Sequence, residues 1–184
     1  MTNPTVIGVT FGTWDLLHVG HVRFLKECLK KCSALYVYVQ KDPSLDRPTK
    51  NRPVQSLEER KEQVLALSDK IFVYDYDDEE DVKRILQSYS IPDLKCVYIR
   101  FLGSEYKDLP ITALMHLPIV FIPRDHSYSS SELRRRVYQA EAAKYVAQDT
   151  PVEENNYVRI TTEFSKRSPR YVIDAIQDIC DRHE

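Results

Sequence analysis

The 184-residue chain predicts an α/β fold, a three-layer sandwich with a five-stranded parallel sheet, on three observations. Short β-branched, apolar runs alternate along the chain with segments whose apolar residues recur at helical spacing. Strand and helix succeed one another at a spacing that implies right-handed crossovers, which cover a parallel sheet with helices on both faces. Of only four glycines, Gly8, Gly12 and Gly20 all fall near the start, so backbone freedom is concentrated at the end of the first strand. In such sheets ligands bind beyond the carboxyl ends of the strands. The segments Phe11 to His21 and Arg124 to Ser131, which leave the first and last strands, are therefore the expected site.

The elements follow in order. Thr5 to Phe11 (TVIGVTF) reads as a strand, His21 to Lys31 (HVRFLKECLKK) as a helix, and Ala34 to Val39 (ALYVYV) as a second strand. Lys41 to Gln55, with Pro43, Pro48 and Pro53 among its charges, reads as a polar loop. Ser56 followed by Glu59 is a capping-box signature that opens the next helix. Ile71 to Tyr74 is a third strand, Glu79 to Tyr89 a helix and Cys96 to Phe101 a fourth strand. Leu117 to Ile122 is the fifth, with Pro118 near its start, where a strand accepts proline. Ser131 to Val146 is the strongest helical pattern. Residues 139–150 extend it, Asp149 to Asn156 breaks it, and Pro169 to Arg182 carries Val172, Ile173, Ile176 and Ile179 on one amphipathic stripe. The expected organisation is one catalytic-type domain over 1–138 and a helical C-terminal extension over 139–184, whose apolar stripe needs a cover, either its own domain or a second copy in a homodimer.

Composition narrows the function classes. With 26 basic and 28 acidic residues the net charge is −2, which gives no general basis for binding nucleic acid. The longest apolar runs are strand-length, far below the roughly 20 residues of a membrane helix. Cys28, Cys32, Cys96 and Cys180 lack paired metal-ligand spacing, and no signal peptide is read ahead of them, so reduced thiols in a cytoplasmic protein are expected. Cys28 and Cys32 are expected to share a helix face. No metal site built from protein ligands is expected.

G-T-W-D-L-L-H-V-G-H, Gly12 to His21, admits three readings. His18 and His21 can be ordinary helix-start residues; they can share a helix face as metal ligands, although Asp15 is their only nearby carboxylate; or they can rim an anion site. The last reading takes in the glycines. A strand that turns sharply into a helix presents free N–H groups and the positive dipole end to phosphate, with Gly12 allowing close backbone approach and Gly20 leaving room between the histidines. Near the other end of the sheet, Ser129, Ser130 and Ser131 precede Glu132, so Ser129-x-x-Glu132 is both a capping box and a cluster of hydroxyls at a helix N-terminus.

The Gly12 to His21 stretch resembles the H-x-G-H signature of the nucleotidyltransferase superfamily of Rossmann-like enzymes, in the form G-T-F-D-L-L-H-x-G-H of glycerol-3-phosphate cytidylyltransferases, departing at Trp14. A second family motif, R-T-E-G-I-S-T-[ST], is matched by R-D-H-S-Y-S-S-S (Arg124 to Ser131) in the arginine and the hydroxyl run only. The resemblance covers roughly residues 5 to 138. Two other departures lie at L-S-D-K-I (Leu67 to Ile71), where cytidylyltransferases read R-Y-V-D-E, and at L-G-S-E-Y-K-D (Leu102 to Asp108), where the glycerol phosphate enzymes have G-D-D. They leave the base and the acceptor open, and the first motif favours CTP.

The resemblance implies a cytidylyltransferase: the phosphate of a small acceptor, a polyol phosphate such as glycerol 3-phosphate, attacks the α-phosphorus of CTP, and pyrophosphate leaves with Mg2+ as the ion carried by the nucleotide. By the same resemblance His18 and His21 hold the triphosphate and its transition state, Arg124 forks phosphate oxygens, and Lys50 is the loop lysine that approaches them. Phe11, Gly12, Thr13 and Gly20 would line the nucleotide, with Asp15 either there or capping the turn. Tyr128, Ser129 and Ser130 would meet it from the last helix, and Gly103 would keep the turn where base or acceptor is read. Arg60 has two readings, a phosphate contact or a helix ion pair, and His126 is read as an exposed loop histidine. The alternatives are an adenylyltransferase using ATP, or an inactive nucleotide-binding module.

Overall fold

The structure, a computed structural model, describes residues 4–89, 96–107 and 117–148. Five parallel strands, β1 (Thr5–Gly12), β2 (Ala34–Gln40), β3 (Ile71–Tyr76), β4 (Cys96–Gly103) and β5 (Ile119–Ile122), form one sheet in the order β3-β2-β1-β4-β5. The chain runs outward from β1 through β2 to β3, then crosses back to β4 and β5. The reversal between β1 and β4 opens a crevice at the carboxyl edge. The fold is Rossmann-like.

Each face of the sheet has its own core because side chains alternate along a strand. On one face Leu35, Val37 and Val39 of β2, Ile71 of β3 and Phe101 of β4 pack with Leu25 and Cys28 of α1 (Val19–Leu29) and Val64 of α2 (Leu57–Leu65). On the other, Val9, Tyr38 and Tyr76 pack with Val82 and Leu86 of α3 (Glu79–Tyr89). This second core is aromatic: Phe11 stacks on Tyr38 at 4.8 Å between ring centroids, and Tyr38 on Tyr74 at 5.2 Å. α4 (Ser130–Gln148) follows β5. The first compact unit runs to Arg135, and the remainder of α4 belongs to a second.

The elements appear in the expected order with small shifts at their ends. α1 begins at Val19, with His18 as its N-cap, so Gly20 lies inside the helix. β3 runs on to Tyr76 and β4 to Gly103, because their ladders with β2 and β5 continue past the apolar runs. The capping box at Ser56 is complete: its hydroxyl accepts the Glu59 N–H, and the Glu59 carboxylate accepts the Ser56 N–H. Cys32 lies just beyond α1, where its thiol donates to the carbonyl of Cys28 at 3.2 Å. The stripe expected over Pro169 to Arg182 lies outside the described residues. No described helix is long and apolar enough to cross a membrane.

Candidate active site

A cleft of about 1000 Å³ opens over the carboxyl ends of the strands. Of the residues singled out as site candidates, all but Arg60 line it: Phe11, Gly12, Thr13, Asp15, His18, Gly20, His21, Lys50, Gly103, Arg124, Tyr128, Ser129 and Ser130.

The turn after β1 is built differently from its sequence reading. The left-handed residues are Trp14, at φ 54°, and Leu16, at φ 50°; no described glycine has positive φ. Gly12 is needed for space, since a Cβ there would sit 3.0 Å from the Trp14 indole. That indole is buried and donates to the Tyr38 carbonyl at 3.0 Å, pinning the turn to β2. Gly20 acts the same way: a Cβ would meet His126 Cε1 at 2.7 Å and His18 at 3.0 Å. Both glycines make room for neighbouring rings.

His18 caps α1 by accepting the Gly20 N–H on Nδ1 at 3.1 Å. Nδ1 is therefore unprotonated, and the neutral ring carries its proton on Nε2. His21 stacks against it at 3.8 Å between centroids and 19° between planes. Burial, the neighbouring His18 and the Arg124 charge push the His21 pKa down to about 3, against a smaller opposing effect of Asp15. His18 is lowered as well, by burial first and then by Arg124 and His126. At neutral pH both rings are uncharged. They offer N–H donors to an anion without adding formal charge.

His126 corrects its sequence reading. It is half-buried in the cleft wall, with a buried Nδ1 that has no hydrogen-bond partner, as has Nδ1 of His21. Its signal in the sequence was weak, a histidine between an aspartate and a serine in a polar loop.

Asp15 is 4% exposed, and its carboxylate accepts the N–H groups of Val54 and Gln55, both at 3.0 Å, and an Arg134 guanidinium N–H at 2.5 Å. Gln55 returns the contact by accepting the Leu16 N–H at 2.6 Å, and the Ser130 hydroxyl donates to the Asp15 carbonyl at 2.9 Å. Asp15 thus locks the end of the polar loop and the start of α4 onto the turn. At that start Ser129 accepts the Glu132 N–H at 3.1 Å, and the Glu132 carboxylate pairs with Arg135.

Arg60 corrects both of its readings. It is 2% exposed, and its guanidinium donates to the carbonyls of Thr13, Gln40, Lys41 and Ser56 at 2.7 to 3.2 Å, which ties the ends of β1 and β2 together beneath the cleft. Among the described residues no carboxylate is paired with it. Four converging carbonyl dipoles solvate its charge in place of water, and the sequence spacing alone could not reveal it.

Arg124 pairs with Glu105 at 2.6 Å and donates to the Tyr128 carbonyl at 3.2 Å, while its own N–H donates to the Ser104 hydroxyl at 3.0 Å. Glu105 folds back over Gly103, where a Cβ would lie 2.1 Å from its carboxylate. Tyr128 lies beneath the Arg23 guanidinium, 5.6 Å from the ring centroid. Lys50, exposed, faces the cleft from the polar loop.

Across Phe11 from the histidines lie residues that the sequence reading did not select: Gln40, Arg47, Tyr76, Glu79 and Arg100. A signal existed for two of them, since Gln40 and Arg100 interrupt otherwise apolar strands near their carboxyl ends. Among the described residues, no group of three or more His, Cys, Asp or Glu side chains could hold a metal ion.

Comparison with known proteins bears on this geometry. The chain is 41% identical over 59 residues to the FAD synthase of Thermococcus sibiricus, covering 32% of this chain and 40% of that protein. It is 32% identical over 105 residues to the bifunctional protein HldE of Granulibacter bethesdensis, covering 55% and 20%. This chain therefore spans well under two thirds of the length of either relative. In structure it is similar to a bifunctional NMN adenylyltransferase/ADP ribose pyrophosphatase of Francisella tularensis, with a TM-score of 0.55 at 16% identity over 74% of this chain and 43% of that one. That likeness is one of fold. The family model described as cytidylyltransferase-like matches residues 9–136, from the middle of β1 into α4. With that match spanning the turn, both histidines and the serine-rich helix start, the chain belongs to the cytidylyltransferase-like family of the nucleotidyltransferase superfamily.

Proposed function

We propose that the protein transfers a nucleotidyl group from a nucleoside triphosphate, CTP in preference, to a small phosphorylated acceptor of the polyol phosphate type. The observation that carries this reading is the stacked, neutral pair His18 and His21, set at the N-terminus of α1 in the same cleft as the N-terminus of α4 with Ser129 and Ser130. An ionised acceptor phosphate oxygen attacks the α-phosphorus, the bond from that phosphorus to the bridging oxygen breaks, and pyrophosphate leaves with the electron pair. No proton has to be removed from the nucleophile. The protein's work is to position the groups and to stabilise charge spreading over the phosphate oxygens, which N–H donors and helix N-termini supply.

In this reading His18 and His21 donate to the α- and β-phosphate oxygens, Gly12, Thr13 and Gly20 let the chain lie close, and Lys50 swings in from its loop. Arg124 exchanges Glu105 for phosphate. Mg2+ would enter as part of the triphosphate substrate and offset its charge; the Asp15 carboxylate is already taken by Val54, Gln55 and Arg134. A structural neighbour from Francisella tularensis, with a TM-score of 0.53 at 16% identity, is described as complexed with AMP and a manganese ion. The thiols of Cys28 and Cys32, neither of them in a disulfide, suit a reducing cytoplasm, and pairing of two copies is part of the proposal, to be checked by sedimentation equilibrium.

A second reading, adenylyl transfer from ATP, is favoured by the likeness to an FAD synthase. Pyrophosphate release measured with magnesium, each ribonucleoside triphosphate and glycerol 3-phosphate separates the two. Release with CTP supports the first reading, release with ATP alone supports the second, and nucleotide binding without release with any phosphorylated acceptor would reduce the protein to a binding module.

A further inference from the structure

Two imidazoles of the cleft, His21 and His126, carry a buried Nδ1 with no hydrogen-bond partner among the described residues. His21 has a place in the proposed reaction, and His126 has none. A histidine kept for packing alone would be costly here, because a phenylalanine or leucine fills similar space without an unpaired polar atom.

Ring contacts hold His126 in place. It reaches from the loop after β5 to the first turn of α1, where its Cε1 lies 2.7 Å from the position a Gly20 Cβ would take. The His18 ring crowds the same point at 3.0 Å, so these two imidazoles are neighbours, and His21 stacks on His18 at 3.8 Å between centroids. Three imidazoles from two segments are thus contiguous, and Gly20 lets them meet. His126 also lies against Tyr128, with 5.2 Å between ring centroids, and the Arg23 guanidinium of α1 covers Tyr128. Arg124 closes the loop: its guanidinium donates to the Tyr128 carbonyl at 3.2 Å and its own N–H to the Ser104 hydroxyl at 3.0 Å. The tip that carries His126 is therefore set before a ligand arrives.

Position decides which part of a ligand it meets. After burial, the largest cause, Arg124 and His126 both depress the pKa values of His18 and His21, which marks them as near neighbours of the pair. In the transferase reading the triphosphate runs from the histidine pair towards Arg124, and its pyrophosphate half then passes His126. With Nδ1 buried, Nε2 is the nitrogen left to the opening, where an imidazole N–H donates to a phosphate oxygen. The motif R-T-E-G-I-S-T-[ST] has a glutamate where this chain has His126. A carboxylate only accepts and would repel a phosphate at that place, whereas an imidazole can donate.

We propose that His126 is a third imidazole of the nucleotide site, which binds the pyrophosphate half of the nucleoside triphosphate and stays bonded to it as it leaves. The assignment rests on the transferase reading and deepens it by naming a group that tells a triphosphate from a monophosphate. The bond from the α-phosphorus to the bridging oxygen breaks and its electron pair goes to pyrophosphate. The hydrogen bond from Nε2 strengthens as charge gathers on those oxygens, and no proton has to change hands.

The test is calorimetric binding of magnesium pyrophosphate, CTP, ATP, CMP and AMP to the full-length native chain, His126→Phe and His126→Gln. Phenylalanine keeps a flat ring over Gly20 without a nitrogen, and glutamine returns a donor. His126→Phe is expected to weaken pyrophosphate, and whichever triphosphate binds, about tenfold while the matching monophosphate binds as before. His126→Gln is expected to recover part of that loss. Thermal melts show whether each variant folds, and His126→Ala replaces His126→Phe if that one does not. Equal pyrophosphate affinity in the native chain and His126→Phe, a loss shared equally by the monophosphate, or a native chain that does not bind pyrophosphate would overturn the assignment. Pyrophosphate release is a separate readout. Release by the native chain with unchanged pyrophosphate affinity in His126→Phe keeps the transferase and removes His126. Pyrophosphate binding that depends on His126, with no release from any triphosphate, keeps the polyphosphate contact and removes the chemistry.

Discussion

The two walls of the cleft differ in how they carry charge. On the α1 and α4 wall the polar groups facing the opening include neutral imidazoles, serine hydroxyls and the helix N-termini, set close by stacking and caps. On the wall built from β2, β3, α3 and β4 they include two guanidiniums, a carboxylate and a phenol, fixed through the buried amide of Gln40. The first kind of wall can follow charge as it moves between phosphate oxygens, because its donors are dipoles already oriented before reaction. The second is suited to recognising a fixed charge and fixed hydroxyls. Arg60 lies beneath both and bonds to the carbonyls of Thr13 on one side and of Gln40 and Lys41 on the other.

The largest effect should come from breaking what the walls share. Arg60→Ala leaves those buried carbonyls without their donor, with a stability loss on the order of 3 kcal/mol or more and weaker binding at both walls. Denaturant unfolding together with calorimetry for CTP and glycerol 3-phosphate checks it; loss at one wall only would show that the ends of β1 and β2 are held independently.

His18→Ala and His21→Ala should separate the walls. Each should lower turnover by about a hundredfold, a barrier change of about 3 kcal/mol, with acceptor affinity retained. Unchanged turnover in both variants would remove the histidines from the mechanism.

The wall of neutral imidazoles also predicts an acid limb in stability. His21 is held near 3 in the folded chain against an ordinary value of about 6.5, so below about pH 6.5 the unfolded chain takes up a proton that the folded chain refuses. Stability should therefore fall from about pH 6.5 down to about 3, each unit of that depression corresponding to about 1.4 kcal/mol before screening and the coupling to His18 are allowed for. In His21→Gln this limb should shrink in thermal melts recorded against pH. An identical limb would place its origin in other groups.

The smallest effect is expected at Glu105, which is more than a third exposed and pairs with Arg124. Glu105→Gln should leave stability within about 1 kcal/mol and tighten triphosphate binding less than about tenfold, because Arg124 is then released without competition. Weaker binding in this variant would mean that the carboxylate positions Arg124 for the nucleotide.

Much of the fold was readable along the chain. The Ser56 and Glu59 cap, the apolar runs of the strands and the Gly12 to His21 segment are all expressed by residues close in sequence, and they emerge at nearly the expected positions. The histidine wall was legible for the same reason, since His18, Gly20 and His21 belong to a single helix start. Gly20 was read as leaving room beside the histidines, as it does at His18, while Gly12 was recognised as special for a different cause; the rings of Trp14 and His126 that crowd them come into view only once those residues are placed. His126 and Arg60 were misread. A half-buried imidazole across the cleft, and four carbonyls gathered from separate segments, leave no mark on neighbouring residues.

The order of amino acids sufficed for the alternation of strands and helices, the helix caps and the turn that lines the cleft, because backbone geometry and side-chain periodicity act over short spans. Folding was needed to determine which faces of the sheet become aromatic or aliphatic cores, that Asp15 locks loop to helix, and that Gln40, Arg47, Tyr76, Glu79 and Arg100 meet over Phe11. Those five come from β2, the following loop, β3, α3 and β4, elements brought to one edge by parallel pairing and the crossover between β1 and β4. Their shared environment is created by burial and long-range packing, and neither has a sequence period.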